Sequence, residues 1–107
     1  MTNKILHFQE LLEQHKFYEA HEVLEEVWFP RRFEQDCEIK LLKGFINAAV
    51  SFELVKRGRK KQSNKVWANY LKYRQCLYKV SSPYLKNYHA LARYIESFRN
   101  TYSLNTH

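Results

Sequence analysis

A histidine and a glutamate four residues apart, His21 and Glu25, form the sharpest chemical pairing in the 107-residue sequence. On a helix, residues at that spacing share a face one turn apart, so the imidazole and the carboxylate can meet. Two kinds of chemistry follow from such a pair. The carboxylate can fix the tautomer of the ring and make an acid/base couple. Alternatively, the pair supplies two ligands of a metal centre, which needs one or two more from other helices. A purely structural role, a core-edge histidine and a glutamate satisfying each other, is the preferred reading. Glu22 and Asn47 complete the set of catalytic candidates. The sequence itself assigns no metal centre and requires no cofactor.

A second chemistry is electrostatic. Residues 1–53 hold 10 of the 11 acidic side chains and 6 of the 18 basic ones, whereas residues 54–107 hold one acid and 12 bases. The net charges of the two halves are therefore −4 and +11. Arg57, Arg59, Lys60 and Lys61 lie in the KRGRKK run, and Lys65, Lys72 and Lys79 follow at seven-residue intervals. On one helix these last three line a single face and extend the run into a basic stripe. Such a stripe attracts an anionic partner such as nucleic acid through counterion release, with salt-sensitive and weakly sequence-selective affinity. A solvated lysine face is the plain alternative. The tyrosines interleaved with these lysines recur at three- and four-residue spacing, the period of a helical core stripe rather than of a stacking platform.

The elements that position these groups are helices. Only two glycines and two prolines leave little material for the tight turns of a β fold. The chain lacks the apolar run of about 20 residues that a membrane span needs, and also a Gly-rich phosphate loop and a nucleophile elbow. The polar N-terminus carries no cleavage pattern, so no membrane association and a cytoplasmic location are expected. Cys37 and Cys76 form no CxxC and read as free thiols of a reducing compartment.

The periodicity predicts an all-α fold, a compact bundle of about five helices with a long central third helix, forming one domain over 1–107. Thr2 caps a first helix running to about Gln14. In the second, Phe17, Ala20, Leu24, Val27 and Trp28 form the inner stripe, Glu19, Glu22 and Glu26 face out, and Pro30 ends it. The third runs from about Glu34 to Arg57, roughly 35 Å, apolar over most of its circumference and stopped by Gly58. Ser63 or Asn64 caps the fourth, whose stripe is Val66, Tyr70, Tyr73, Leu77 and Val80. Ser82 caps the fifth with Pro83 at its first position, and Tyr84, Tyr88, Leu91, Ile95 and Phe98 face inward. Residues 101–107 are expected to be loose.

Three details bear on a site. Lys40, Gly44, Asn47 and Ser51 make a small polar seam on the third helix. Close approach of another helix would compensate Gly44, or else Asn47 and Ser51 line a pocket with His21 and Glu25. Glu53 projects on the apolar arc, with Arg57 one turn later as its partner. Trp67, Leu71 and Tyr78 form a second apolar strip, to be covered by the fifth helix or by a second copy in a homo-oligomer.

The segments FYEAHEVLEEVW (Phe17 to Trp28) and LLKGFINAAVSFELVKRG (Leu41 to Gly58) resemble the two signature helices of the domain-of-unknown-function 309 family, small all-helical prokaryotic proteins without an established activity. The resemblance places Glu19, His21, Glu22, Glu25, Trp28, Gly44 and Asn47 on the family's recurrent positions. Two departures stand out. His15 occupies a position usually held by glycine, and Glu53 and Leu54 occupy a stretch where relatives tend to carry histidine, which weakens a metal reading for this chain. The combined expectation is a binding or interaction module with a basic surface. The alternative is a small metal-dependent or acid/base enzyme around His21 and Glu25.

Overall fold

The first helix forms because Ile5, Phe8 and Leu12 recur at helical spacing and all three are buried. In the computed structural model, which describes the backbone of residues 1–105 and the side chains of residues 1–102, this helix is α1, Thr2–Glu13. Thr2 is its first residue rather than its cap; Met1 holds the cap position and makes no side-chain bond. The chain leaves α1 through His15 at φ 57°. The His15 amide donates to the Leu12 carbonyl and the Lys16 amide to the Leu11 carbonyl, the pair of bonds that closes a helix through a left-handed residue. A non-glycine residue resists that conformation. Here the His15 ring is held against Phe17, Phe98 and Tyr102, with centroids 5.1 to 5.7 Å away.

Helix α2, Phe17–Trp28, buries Phe17, Ala20 and Leu24, with Val27 and Trp28 half-buried beside them, the expected stripe. Pro30 lies in a 3-10 turn, Phe29–Arg31, that follows without a break. Helix α3, Cys37–Lys56, starts three residues later than the periodicity suggests, because the Asp36 carboxylate accepts the Glu38 amide at 2.7 Å and caps the helix there. Its buried residues point in all directions, from Ile39 and Leu41 to Ser51 and Phe52, as a central helix requires. Gly58, at φ 76°, stops it as expected.

Helix α4, Lys60–Arg74, begins at once. Ser63 and Asn64 therefore sit inside it rather than capping it. Ser63 is buried and its hydroxyl donates to the Ser51 carbonyl of α3 at 2.7 Å. The inner face is Ser63, Trp67 and Tyr70; Val66 and Tyr73 of the expected stripe are only half-buried. Trp67, assigned to an outer strip by spacing alone, is core, and only Leu71 and Tyr78 of that strip stay exposed. The backbone then tightens into a 3-10 turn, Gln75–Tyr78.

Helix α5, Leu85–Asn105, follows a turn in which the Ser82 hydroxyl accepts the Tyr84 amide at 3.1 Å. It buries Tyr88, Leu91, Ala92 and Ile95. Helical backbone continues through Asn105, into the stretch expected to be loose; residues 106 and 107 lie outside the described residues. At 21 residues α5 is one longer than α3, so the third helix is central without being the longest. Helix α3 packs between α2 and α4, α1 lies on α2, and α5 closes across α1, α3 and the turn after α4.

Candidate functional site

Helix α2 sets His21 and Glu25 one turn apart at the boundary with α3. His21 Nε2 lies 3.2 Å from Glu25 Oε2, and His21 Nδ1 donates to the Tyr18 carbonyl at 2.6 Å. The Nδ1 bond to the carbonyl orients the ring and turns Nε2 toward the Glu25 carboxylate. The ring is oriented further by the edge of Tyr18, 4.9 Å between centroids. Its side chain is 18% exposed, enough to touch a hollow of about 220 Å³ whose other walls are Phe17, Tyr18, Val50, Glu53, Leu54 and Arg57.

Across that hollow, Arg57 Nε donates to Glu53 Oε2 at 3.0 Å, the partnership the sequence suggests. The pair also borders a larger open groove of about 990 Å³, whose floor includes Glu19, Glu22 and Glu26 of α2 and His7 of α1. Glu26 is tied to α1 by the Lys4 ammonium at 2.8 Å, which holds its carboxyl below the usual carboxylate range.

The seam on α3 does not join this site. Asn47 Nδ2 donates to the Lys43 carbonyl of its own helix at 2.8 Å, and the Ser51 hydroxyl to the Ala48 carbonyl at 2.7 Å. The pocket expected to unite Asn47 and Ser51 with His21 and Glu25 is therefore replaced by one lined by Val50, Glu53 and Leu54, on the neighbouring face of the same helix. Gly44 serves the other expectation: a Cβ there would lie 2.9 Å from Tyr73 Cβ of α4. Trp28 belongs to that side too, with the Lys43 ammonium 4.1 Å over its ring. Among the described residues, no group of three or more His, Cys, Asp or Glu side chains is placed to hold a metal ion.

On α4, Lys61, Lys65 and Lys72 are exposed and, among the described residues, none pairs with a carboxylate. Arg59, Lys60 and Lys61 stand at the positive end of the helix dipole with no acidic residue in the first turn. Arg57, though exposed, is paired with Glu53. Lys79 does not continue the line of Lys65 and Lys72. The helix tightens after Arg74, and roughly 120° per residue in place of 100° carries Lys79 about 100° off the stripe.

The sequence reading missed Glu96, the one acid of residues 54–107. Its Oε2 accepts Arg74 Nε at 2.6 Å and the buried Tyr70 hydroxyl at 2.8 Å, binding α5 to α4. Desolvation, then the Glu96 carboxylate, pushes the Tyr70 phenol far above its ordinary range. A lone carboxylate in a strongly basic half was the signal available for it. Because Glu96 is committed internally, it neutralises nothing on the outer face of α4.

A family model described as Domain of unknown function (DUF309) matches residues 5–66, which takes in both signature helices and the first turns of α4. No curated protein and no solved structure matches the chain.

Proposed function

The chain belongs to the DUF309 family, for which no function is assigned, and from that premise we propose that it is a binding module whose α4 face holds an anionic polymer such as nucleic acid. One observation carries the reading: Lys61, Lys65 and Lys72 are exposed on α4, which begins with Arg59 and Lys60 at the positive end of its dipole, while the single carboxylate of that half of the sequence is bound to Arg74 and Tyr70. Phosphates on that face replace small counterions. Affinity then falls with salt by roughly 0.9 log units per log unit for each duplex phosphate neutralised. Fluorescence anisotropy of a labelled duplex and of a single strand tests this at low and physiological salt. Changing Lys61, Lys65 and Lys72 together to Glu should abolish binding, whereas Lys79→Glu, off the stripe, should alter it less than twofold. No association at low salt, or association indifferent to the triple change, refutes the reading.

A second reading, a small metal-dependent or acid/base enzyme at His21 and Glu25, draws on the oriented imidazole and the hollow beside Glu53 and Arg57. It is the weaker one, since among the described residues no third His, Cys, Asp or Glu side chain joins the pair to hold a metal ion. Near-stoichiometric zinc, iron or manganese in the purified protein, lost in His21→Ala, would reverse that order.

A further inference from the structure

Cys37 and Cys76 are 39 positions apart in sequence, yet the fold brings them together. Cys37 is the first residue of α3, and Cys76 lies in the 3-10 turn after α4, which packs on α3. The two thiols act on one another, both are half-buried, and neither is in a disulfide. Their frames are held together independently of sulfur. Glu38, next to Cys37, accepts the Ser82 hydroxyl at 2.8 Å and the Tyr88 hydroxyl at 2.5 Å, and so clamps the start of α3 to the segment that follows Cys76. The Cys76 carbonyl is itself fixed by the Lys79 and Val80 amides at 3.0 and 2.9 Å. Lys40 and Lys79 act on Cys76 and partly offset the effect of burial on its thiol.

We propose that Cys37 and Cys76 form a reversible dithiol–disulfide site, oxidised by thiol–disulfide exchange with a low-molecular-weight disulfide. Both thiols are half-buried, and in the proposed exchange Cys37 is the first to react. The Cys37 thiolate attacks the small disulfide, one thiolate leaves, and a mixed disulfide remains on Cys37. Cys76 then gives its proton to solvent and attacks the Cys37 sulfur, expelling the second thiolate. In sum, two protein thiols and one small disulfide become one protein disulfide and two small thiols. The new bond staples the start of α3 to the turn between α4 and α5 and closes a loop of about 40 residues, which raises the midpoint of thermal unfolding by roughly 10 °C.

The test equilibrates the native protein in glutathione and glutathione-disulfide mixtures, quenches with acid, and reads intact mass, non-reducing peptide maps and unfolding midpoints. The expected result is a monomer two mass units lighter with a Cys37–Cys76 cross-linked peptide and a raised midpoint, restored by dithiothreitol. Cys76→Ser should instead accumulate a glutathione adduct on Cys37. Stable adducts on both cysteines of the wild-type protein, cross-links only between copies, or an internal disulfide formed only in denaturant would each overturn the proposal. The wild-type measurements decide it even if the variant does not fold.

Discussion

Gly44→Ala isolates the contact that joins α3 to α4. Alanine is favoured over glycine inside a helix by about 0.9 kcal/mol, so on propensity alone the substitution stabilises. In this fold the added Cβ would lie 2.9 Å from Tyr73 Cβ and 3.7 Å from the Tyr70 carbonyl oxygen. Carbon atoms rest about 3.5–4.0 Å apart, a shortfall of roughly 0.6–1 Å. Neither Cβ can rotate away, because each is fixed by its own helix backbone. Relief requires α4 to withdraw as a unit, loosening the Tyr70 ring from Phe45 and the Trp67 ring from Phe52, whose centroids lie 6.2 and 6.0 Å away. Overpacking of this kind costs about 2 kcal/mol, which leaves a net loss of about 1 kcal/mol. In a Tyr73→Gly background the opposing Cβ is gone, and the same substitution should stabilise by about 0.9 kcal/mol. The four proteins of the cycle, unfolded in urea and followed by helical circular dichroism, should therefore show a coupling of about 2 kcal/mol. A higher midpoint for Gly44→Ala with Tyr73 intact, or equal effects in both backgrounds, refutes the argument that α4 crosses at Gly44.

Three further outcomes follow from individual side chains. The phenols of the fully buried Tyr70 and Tyr88 are pushed well above the ordinary range, chiefly by desolvation and then by the carboxylates of Glu96 and Glu38. Below about pH 10 both states of the protein are protonated at these sites. Above it the unfolded chain ionises first, so stability should fall by about 3 kcal/mol per pH unit for the two together, with phenolate absorbance appearing only as helicity is lost. Glu38→Ala strands the hydroxyl of Tyr88 and should cost about 2–3 kcal/mol in urea, whereas adding Tyr88→Phe to that variant should cost little more. At the left-handed position 15, glycine relieves backbone strain and alanine keeps it, while both remove the ring contacts; His15→Gly should exceed His15→Ala in stability by about 1 kcal/mol.

Much of the fold was legible because helical periodicity is local. The stripes of α2 and α5, the stop at Gly58, the Glu53–Arg57 pair and the tight approach at Gly44 all depend on residues within a few turns of one another, or on a glycine with no other purpose. The stripe of α4 was misread for the opposite reason. Spacing favoured Val66 and Tyr73, but α4 lies so close to α3 at Gly44 that a buried serine and the Trp67 and Tyr70 rings make the contact. Lys79 left the basic stripe because a turn of 3-10 helix, invisible in composition, intervenes. Within the candidate site, the His21–Glu25 pair follows from four-residue spacing, whereas the wall opposite it does not.

The sequence by itself determined the helical class, the family-like helices and the separation of acidic from basic halves, since each is a matter of residue type and of neighbours along one helix. Tertiary structure alone decided which side chains from different helices meet: Glu38 with Ser82 and Tyr88, Glu96 with Tyr70 and Arg74, Cys37 with Cys76. Such meetings depend on helix crossing, rotation and register, which are set by packing of the whole core. A rotation of α4 by roughly half the 100° between successive residues would exchange one set of its partners for another without altering any local pattern in the chain.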